Sequence, residues 1–95
     1  MTSGGKGEKK EKVKKAVRLF FNTYDKSIAE RIFESLKELG EVKIVRSSIL
    51  EEFYYVEIVP PANVDLKSLA TKVEKVVRNI GNGSVFGVRV YYVQV

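Results

Sequence analysis

Cysteine and histidine are both absent from this 95-residue chain. Their absence removes disulfides, thiolate nucleophiles, imidazole bases and the usual zinc ligand sets together. The carboxylates offer no replacement. Asp25, Asp65 and the glutamates stand singly along amphipathic segments or on a hairpin, with no acidic cluster at a strand end to hold Mg²⁺. No catalytic residue, metal or cofactor is therefore expected. Long apolar runs are missing as well: nothing approaches the roughly 18 residues of a spanning helix, and the lysine-rich start is followed by no apolar signal-peptide segment. The expectation is a soluble, cytoplasmic protein with no membrane partner. Abundant Lys, Glu and Val with a single Met follow the bias of hyperthermophile proteins.

What is present suffices for one small domain. At 44% hydrophobic, 95 residues bury a modest core, but not a deep catalytic cavity besides. The net charge of +5 is unevenly spread. Residues 1–15 hold Lys6, Lys9, Lys10, Lys12, Lys14 and Lys15 against only Glu8 and Glu11, which leaves the rest of the chain nearly neutral. After Met1 no apolar residue occurs before Val13, so residues 1–12 read as a disordered basic arm ahead of a domain spanning 13–95. Such an arm grips phosphates without sequence preference, or serves only as a solubilising extension.

Periodicity supplies the element order. Ala16 to Thr23 alternates as a strand, with Val17, Leu19, Phe21 and Thr23 on one side and Arg18, Phe20 and Asn22 on the other. Asp25 or Ser27 then caps a helix, Ser27 with Glu30 at capping-box spacing, whose stripe is Ile28, Ile32, Leu36 and Leu39 and which Gly40 ends. Val42 to Ser48 and Phe53 to Val59 read as a hairpin, with Ile49 and Leu50 at its connection open to either core or contact roles. Pro60-Pro61 breaks the ladder. Asp65 caps a second helix with an inward stripe of Leu66, Leu69, Ala70, Val73, Val76, Val77 and Ile80, closed by Gly81. Lys67, Lys72, Lys75 and Arg78, partly alternating with Glu74, decorate its solvated surfaces. Asn82-Gly83 turns into a last strand from Ser84 to Val95, where Phe86, Val88, Val90 and Tyr92 face the core and Val85, Arg89, Tyr91 and Val93 face away. The two glycines around Asn82 follow a helix and precede a strand, the reverse of a phosphate-binding loop, so they read as a turn.

This order, βαββαβ, predicts an α+β ferredoxin-like sandwich: a four-stranded antiparallel sheet with two helices on one face. The other face is unusual. Strand parity sends Arg18, Phe20, Phe53, Tyr55, Glu57, Arg89 and Tyr91 away from the core, so rings and arginines share one open surface. Base stacking and burial against another protein are the two uses such a surface has.

The chain resembles an RNA-recognition motif (RRM) domain from about Val17 to Val95. Leu19-Phe20-Phe21 is similar to the first half of that family's RNP2 motif, with Phe20 at the stacking position and Thr23 where Asn is preferred. Glu51-Glu52-Phe53-Tyr54-Tyr55-Val56-Glu57-Ile58 lines up with RNP1, so Phe53 and Tyr55 occupy its two aromatic positions, and Leu39-Gly40-Glu41-Val42 looks like the family's connection into strand two. RNP1 normally opens with Lys or Arg and then Gly; Glu51 and Glu52 stand there instead, which removes a phosphate partner and adds repulsion. The resemblance implies RNA or another single-stranded nucleic acid as partner. Phe20, Phe53, Tyr55 and Tyr91 would meet bases, while Arg18, Lys43 and Arg89 would hold phosphates and Lys6, Lys9, Lys10 and Lys12 would add non-specific affinity.

A second resemblance is to the small dimerising subunit of the KEOPS tRNA-modification complex. Ala29-Glu30-Arg31-Ile32-Phe33-Glu34-Ser35-Leu36 is similar to its first helix, and Asp65, Ser68, Leu69 and Arg78 match part of its last-helix pattern, with Ala70 and Glu74 replacing its usual Arg and Asn. It implies an assembly subunit, docking by the same aromatic face or by an edge strand onto a protein partner or a second copy. An acylphosphatase-type enzyme on this fold would need a Gly-rich, Arg-bearing loop after the first strand, and the sequence has none.

If the arm contributes charge alone, deleting residues 1–12 weakens nucleic-acid binding evenly across sequences. The salt dependence of the binding constant should then flatten by about 0.7 per lost single-strand phosphate contact. A changed sequence preference in the same titrations would make the arm a reader.

Overall fold

The computed structural model describes residues 15–94, and the arm lies outside them. The elements run β1 (Lys15–Asn22), α1 (Lys26–Leu36), β2 (Glu41–Arg46), β3 (Phe53–Val59), α2 (Leu66–Gly81) and β4 (Phe86–Gln94). The strands form one antiparallel sheet in the order β2-β3-β1-β4. This is the expected ferredoxin-like arrangement, with β1 and β3 central and β2 and β4 at the edges.

Core formation follows the strand parity. Val17, Leu19 and Phe21 of β1 and Tyr54, Val56 and Ile58 of β3 bury one sheet face against Ala29, Ile32, Phe33 and Leu36 of α1 and Leu66, Leu69, Val73 and Val77 of α2. Phe21, Phe33 and Tyr54 form an aromatic triad within it, at centroid separations of 5.3 to 6.2 Å. The inward stripe of α1 keeps the expected Ile32 and Leu36 and adds Ala29 and Phe33, all four fully buried, while Ile28 and Leu39 pack only partly against the core.

Both helices begin on an aspartate. Asp25, rather than Ser27, is the cap of α1: its Oδ1 accepts from the Ser27 and Ile28 amides at 3.0 and 3.4 Å and from the Ser27 hydroxyl at 2.6 Å. Asp65 Oδ2 accepts from the Ser68 amide at 2.9 Å. Bonding to the charged form holds both carboxyls below their ordinary range, led by the Ser27 hydroxyl at Asp25 and the Ser68 amide at Asp65.

The end of α1 differs from expectation, while α2 closes at Gly81 as expected. α1 stops at Leu36, and Gly40 ends no helix; a Cβ there would stand 2.5 Å from the Val59 carbonyl oxygen, so glycine lets the chain enter β2 against β3. Gly81 is the last helical residue of α2, and the left-handed cap is Asn82 at φ 41°, whose amide donates to the Arg78 carbonyl at 2.9 Å. Strand β2 ends at Arg46, because the Ser47 hydroxyl oxygen accepts from the Ile49 and Leu50 amides and starts the turn. Ile49 and Leu50 themselves are exposed, so neither joins the core. Val85, expected to face away, packs partly against the core beside Gly81.

Adjacent phenylalanines test the parity of β1. Phe21→Ala should lower the unfolding free energy by about 3–5 kcal/mol as a buried ring is lost. Phe20→Ala, on the opposite face, should cost far less. Urea unfolding midpoints at unchanged slope read both values, and equal losses would refute the two-face assignment.

Candidate nucleic-acid interface

Strand pairing converts the open face into a grid. In one row across the sheet, Val45, Tyr55, Phe20 and Arg89 are successive partners; in the next, Lys43, Glu57, Arg18 and Tyr91; in a third, Phe53, Asn22 and Phe86. Directly opposed residues of antiparallel strands send side chains to the same side. Arg18, Phe20, Lys43, Phe53, Tyr55, Arg89 and Tyr91 therefore gather on one surface. Lys6, Lys9, Lys10 and Lys12 lie outside the described residues.

Phe20 is the hub of this surface. Its ring centroid is 4.8 Å from that of Tyr55, 6.1 Å from Phe53 in a stacked arrangement and 6.0 Å from Tyr91 edge-on. Phe20, Phe53 and Tyr55 are half-buried by one another, and Tyr91 is 48% exposed at the β4 side. Contacts of this kind fix ring orientation. A shallow cavity of about 460 Å3 opens between Phe20, Asn22, Phe53, Gly87, Arg89 and Tyr91.

Charge on the face is mixed. The Arg18 Nε lies 3.7 Å from Glu57 Oε2, with the Arg18 side chain 46% exposed and that of Glu57 only 16%. Lys43 pairs with Glu57 across the ladder from the other side. Glu57 is thus flanked by two cations, which offset the repulsion it would exert on a phosphate. Arg89 makes no ion pair among the described residues. Burial pushes the Tyr55 phenol above its ordinary value, Glu57 adds to the shift and Arg18 opposes it, so Tyr55 stays a neutral ring and a hydrogen-bond donor.

One ring departs from the expected side. Alternation along β4 assigned Phe86 to the core with Val88, Val90 and Tyr92. Val88 and Val90 do pack there, and Tyr92, opposite the core residue Val17, keeps that side though 50% exposed, but Phe86 is 47% exposed on the other side. The register slips between Phe20 and Asn22, so that Gly87 and Val88 together oppose Phe21 and Phe86 comes opposite Asn22. Gly87 sits at φ +62°, a conformation that side chains rarely adopt. A Cβ on it would meet Asn22 Nδ2 at 2.6 Å. Beyond the bulge, the Phe86 ring stacks on Tyr24 at 5.7 Å. Asn22, Tyr24 and Phe86 were not among the residues expected to act. The glycine interrupting a strand pattern was the available signal, since isolated glycines there mark bulges.

The Arg46 guanidinium lies on the helix side, bonded to Glu30 at 3.0 Å and 5.6 Å above the Phe33 ring. Among the described residues no group of three or more acidic side chains converges as a metal site would require, and no helix is long and apolar enough to cross a membrane. No protein-family model matches the chain, and no curated protein or solved structure matches it either.

Gly87→Ala should lower the unfolding free energy by about 1–2 kcal/mol, because the left-handed backbone is strained for alanine and Asn22 must move. An unchanged urea midpoint would show that the bulge does not depend on glycine.

Proposed function

We propose that this chain is a non-enzymatic RNA-binding module that takes single-stranded nucleic acid on its open sheet face, in the manner of an RRM domain. One observation carries the reading: Phe20 and Tyr55, on the two central strands, lie side by side at 4.8 Å with Phe53 next to them, and cations border the cluster. Neighbouring, partly exposed rings suit sequence-tolerant stacking, since every base has a π-face. In this reading Phe20, Phe53 and Tyr55 stack on bases, Tyr91 closes the β4 side, and Arg18, Lys43 and Arg89 neutralise phosphates. Flanked by Arg18 and Lys43, Glu57 orients the guanidinium and leaves a net positive row. The lysine arm adds affinity of the kind that salt weakens.

A second reading, assembly through the same face, is favoured by Val45. This residue is half-exposed beside Tyr55 and carries the apolar surface to the β2 edge. In an assembly subunit, Phe20, Phe53 and Tyr91 would be buried in the native complex.

A Phe20→Ala/Tyr55→Ala double variant should retain the fold and lose nearly all affinity for mixed-sequence RNA, each stacked ring contributing about 1–3 kcal/mol. Light scattering with and without RNA separates the readings. A nucleic-acid platform is monomeric alone, binds RNA, and loses affinity on Tyr91→Glu. A dimer that Tyr91→Glu converts to monomer, with no RNA shift in either protein, replaces the first reading by the second.

A further inference from the structure

We propose that the Tyr24–Phe86 ring pair is a second nucleobase-stacking position, which takes a neighbouring nucleotide of the strand held on the central rings. The inference rests on the base-binding reading above. Its starting point is a ring with no role in the core: Tyr24 is 77% exposed, yet the backbone carrying it is held firmly. Thr23, the residue before it, is buried; its amide donates to the Glu52 carbonyl at 2.8 Å and its hydroxyl to the Ser84 carbonyl at 2.7 Å, and the same hydroxyl oxygen accepts from the Asp25 amide at 3.2 Å. An exposed aromatic on an immobilised backbone is ordered at little entropic cost when it binds.

Phe86 lies against it with centroids 5.7 Å apart and planes at 30°. A cavity of about 690 Å3 opens there, lined by Tyr24, Asp25, Lys26, Gly83, Ser84 and Phe86. Lys26 makes no ion pair among the described residues and stands available to a phosphate. The Asp25 carboxylate is occupied by the Ser27 hydroxyl and two helix amides.

Continuity with the central cluster selects the occupant. Phe53, Asn22 and Phe86 share one cross-strand row, Gly87 lines the central cavity while its neighbour Phe86 lines the outer one, and Asn22 Nδ2 donates to the Phe86 carbonyl at 3.2 Å. Two ring groups, Tyr55–Phe20–Phe53 and Phe86–Tyr24, therefore share one row of the sheet through Phe53 and Phe86, with Asn22 between them. The bulge at Gly87 is what turns a core-side phenylalanine into the far end of this track. A row of spaced rings bordered by lysine and arginine suits consecutive bases of one strand.

Titration of wild type, Tyr24→Ala, Tyr24→Leu and Phe20→Ala with random-sequence RNA oligonucleotides of increasing length, at one salt concentration, tests this. Long oligonucleotides should bind Tyr24→Ala and Tyr24→Leu more weakly by on the order of tenfold. The shortest oligonucleotide that binds wild type should bind both variants equally well. Leucine keeps the apolar bulk without the aromatic plane, so a loss shared by both variants assigns the effect to stacking. Wild-type affinity in Tyr24→Ala at every length, while Phe20→Ala binds poorly, overturns the second position and leaves the central one. A loss independent of length also overturns it. No binding of any oligonucleotide by wild type removes the parent reading and this inference together.

Discussion

Pairing of β1 on both of its edges is the constraint on which the rest of the molecule depends. Because side chains alternate at period two, one strand serves the core with Val17, Leu19 and Phe21 and the open face with Arg18, Phe20 and Asn22. A one-residue slip against either neighbour would put Phe20 into the core and Phe21 into water. Burial of Phe21 against Phe33 and Tyr54 therefore sets the register that brings Phe20 beside Tyr55. Stability and site are two readouts of one ladder.

Electrostatics on the open face follow from the same register. Glu57 would repel phosphate if it stood alone, but pairing puts Arg18 on one side of it and Lys43 on the other. An ion pair at 3.7 Å that is half-open to solvent contributes only about 0–1 kcal/mol to stability. Its consequence is positional: the guanidinium is held over the sheet, next to the rings. Arg89 occupies the equivalent place beside Phe20 on the β4 side. Arg18, Lys43 and Arg89 thus surround the rings, with Glu57 between the first two.

Gly87 introduces the one departure from strict alternation among the described residues, and its effects reach beyond β4. The bulge leaves Val88 and Val90 on the core side, moves Phe86 opposite Asn22, and brings the start of β4 against the β1–α1 connection, where Tyr24 stands. Thr23 ties this corner to the β2–β3 turn and to Ser84 in the α2–β4 turn through its hydrogen bonds. The corner is consequently rigid while its rings stay exposed.

Element order, the Asp65 cap, the core faces of β1 and β3 and the shared parity of Phe20, Phe53 and Tyr55 were determined by the amino-acid sequence itself, because each is a local consequence of period, capping chemistry or turn residues. Only the tertiary structure decided which parities meet. Strand order makes β1 and β3 neighbours, and that adjacency turns two separate aromatic segments into one cluster around Phe20. The inward stripe of α1 took in Ala29 and Phe33 beside the expected Ile32 and Leu36, because the position of Tyr54 and Phe21 on the sheet, not helical period alone, selects the side of the helix that packs. Phe86 was misassigned because alternation is read assuming an unbroken ladder, and a bulge is a property of two strands at once: Gly87 permits it, but the close approach of Asn22 and the pairing with β1 produce it.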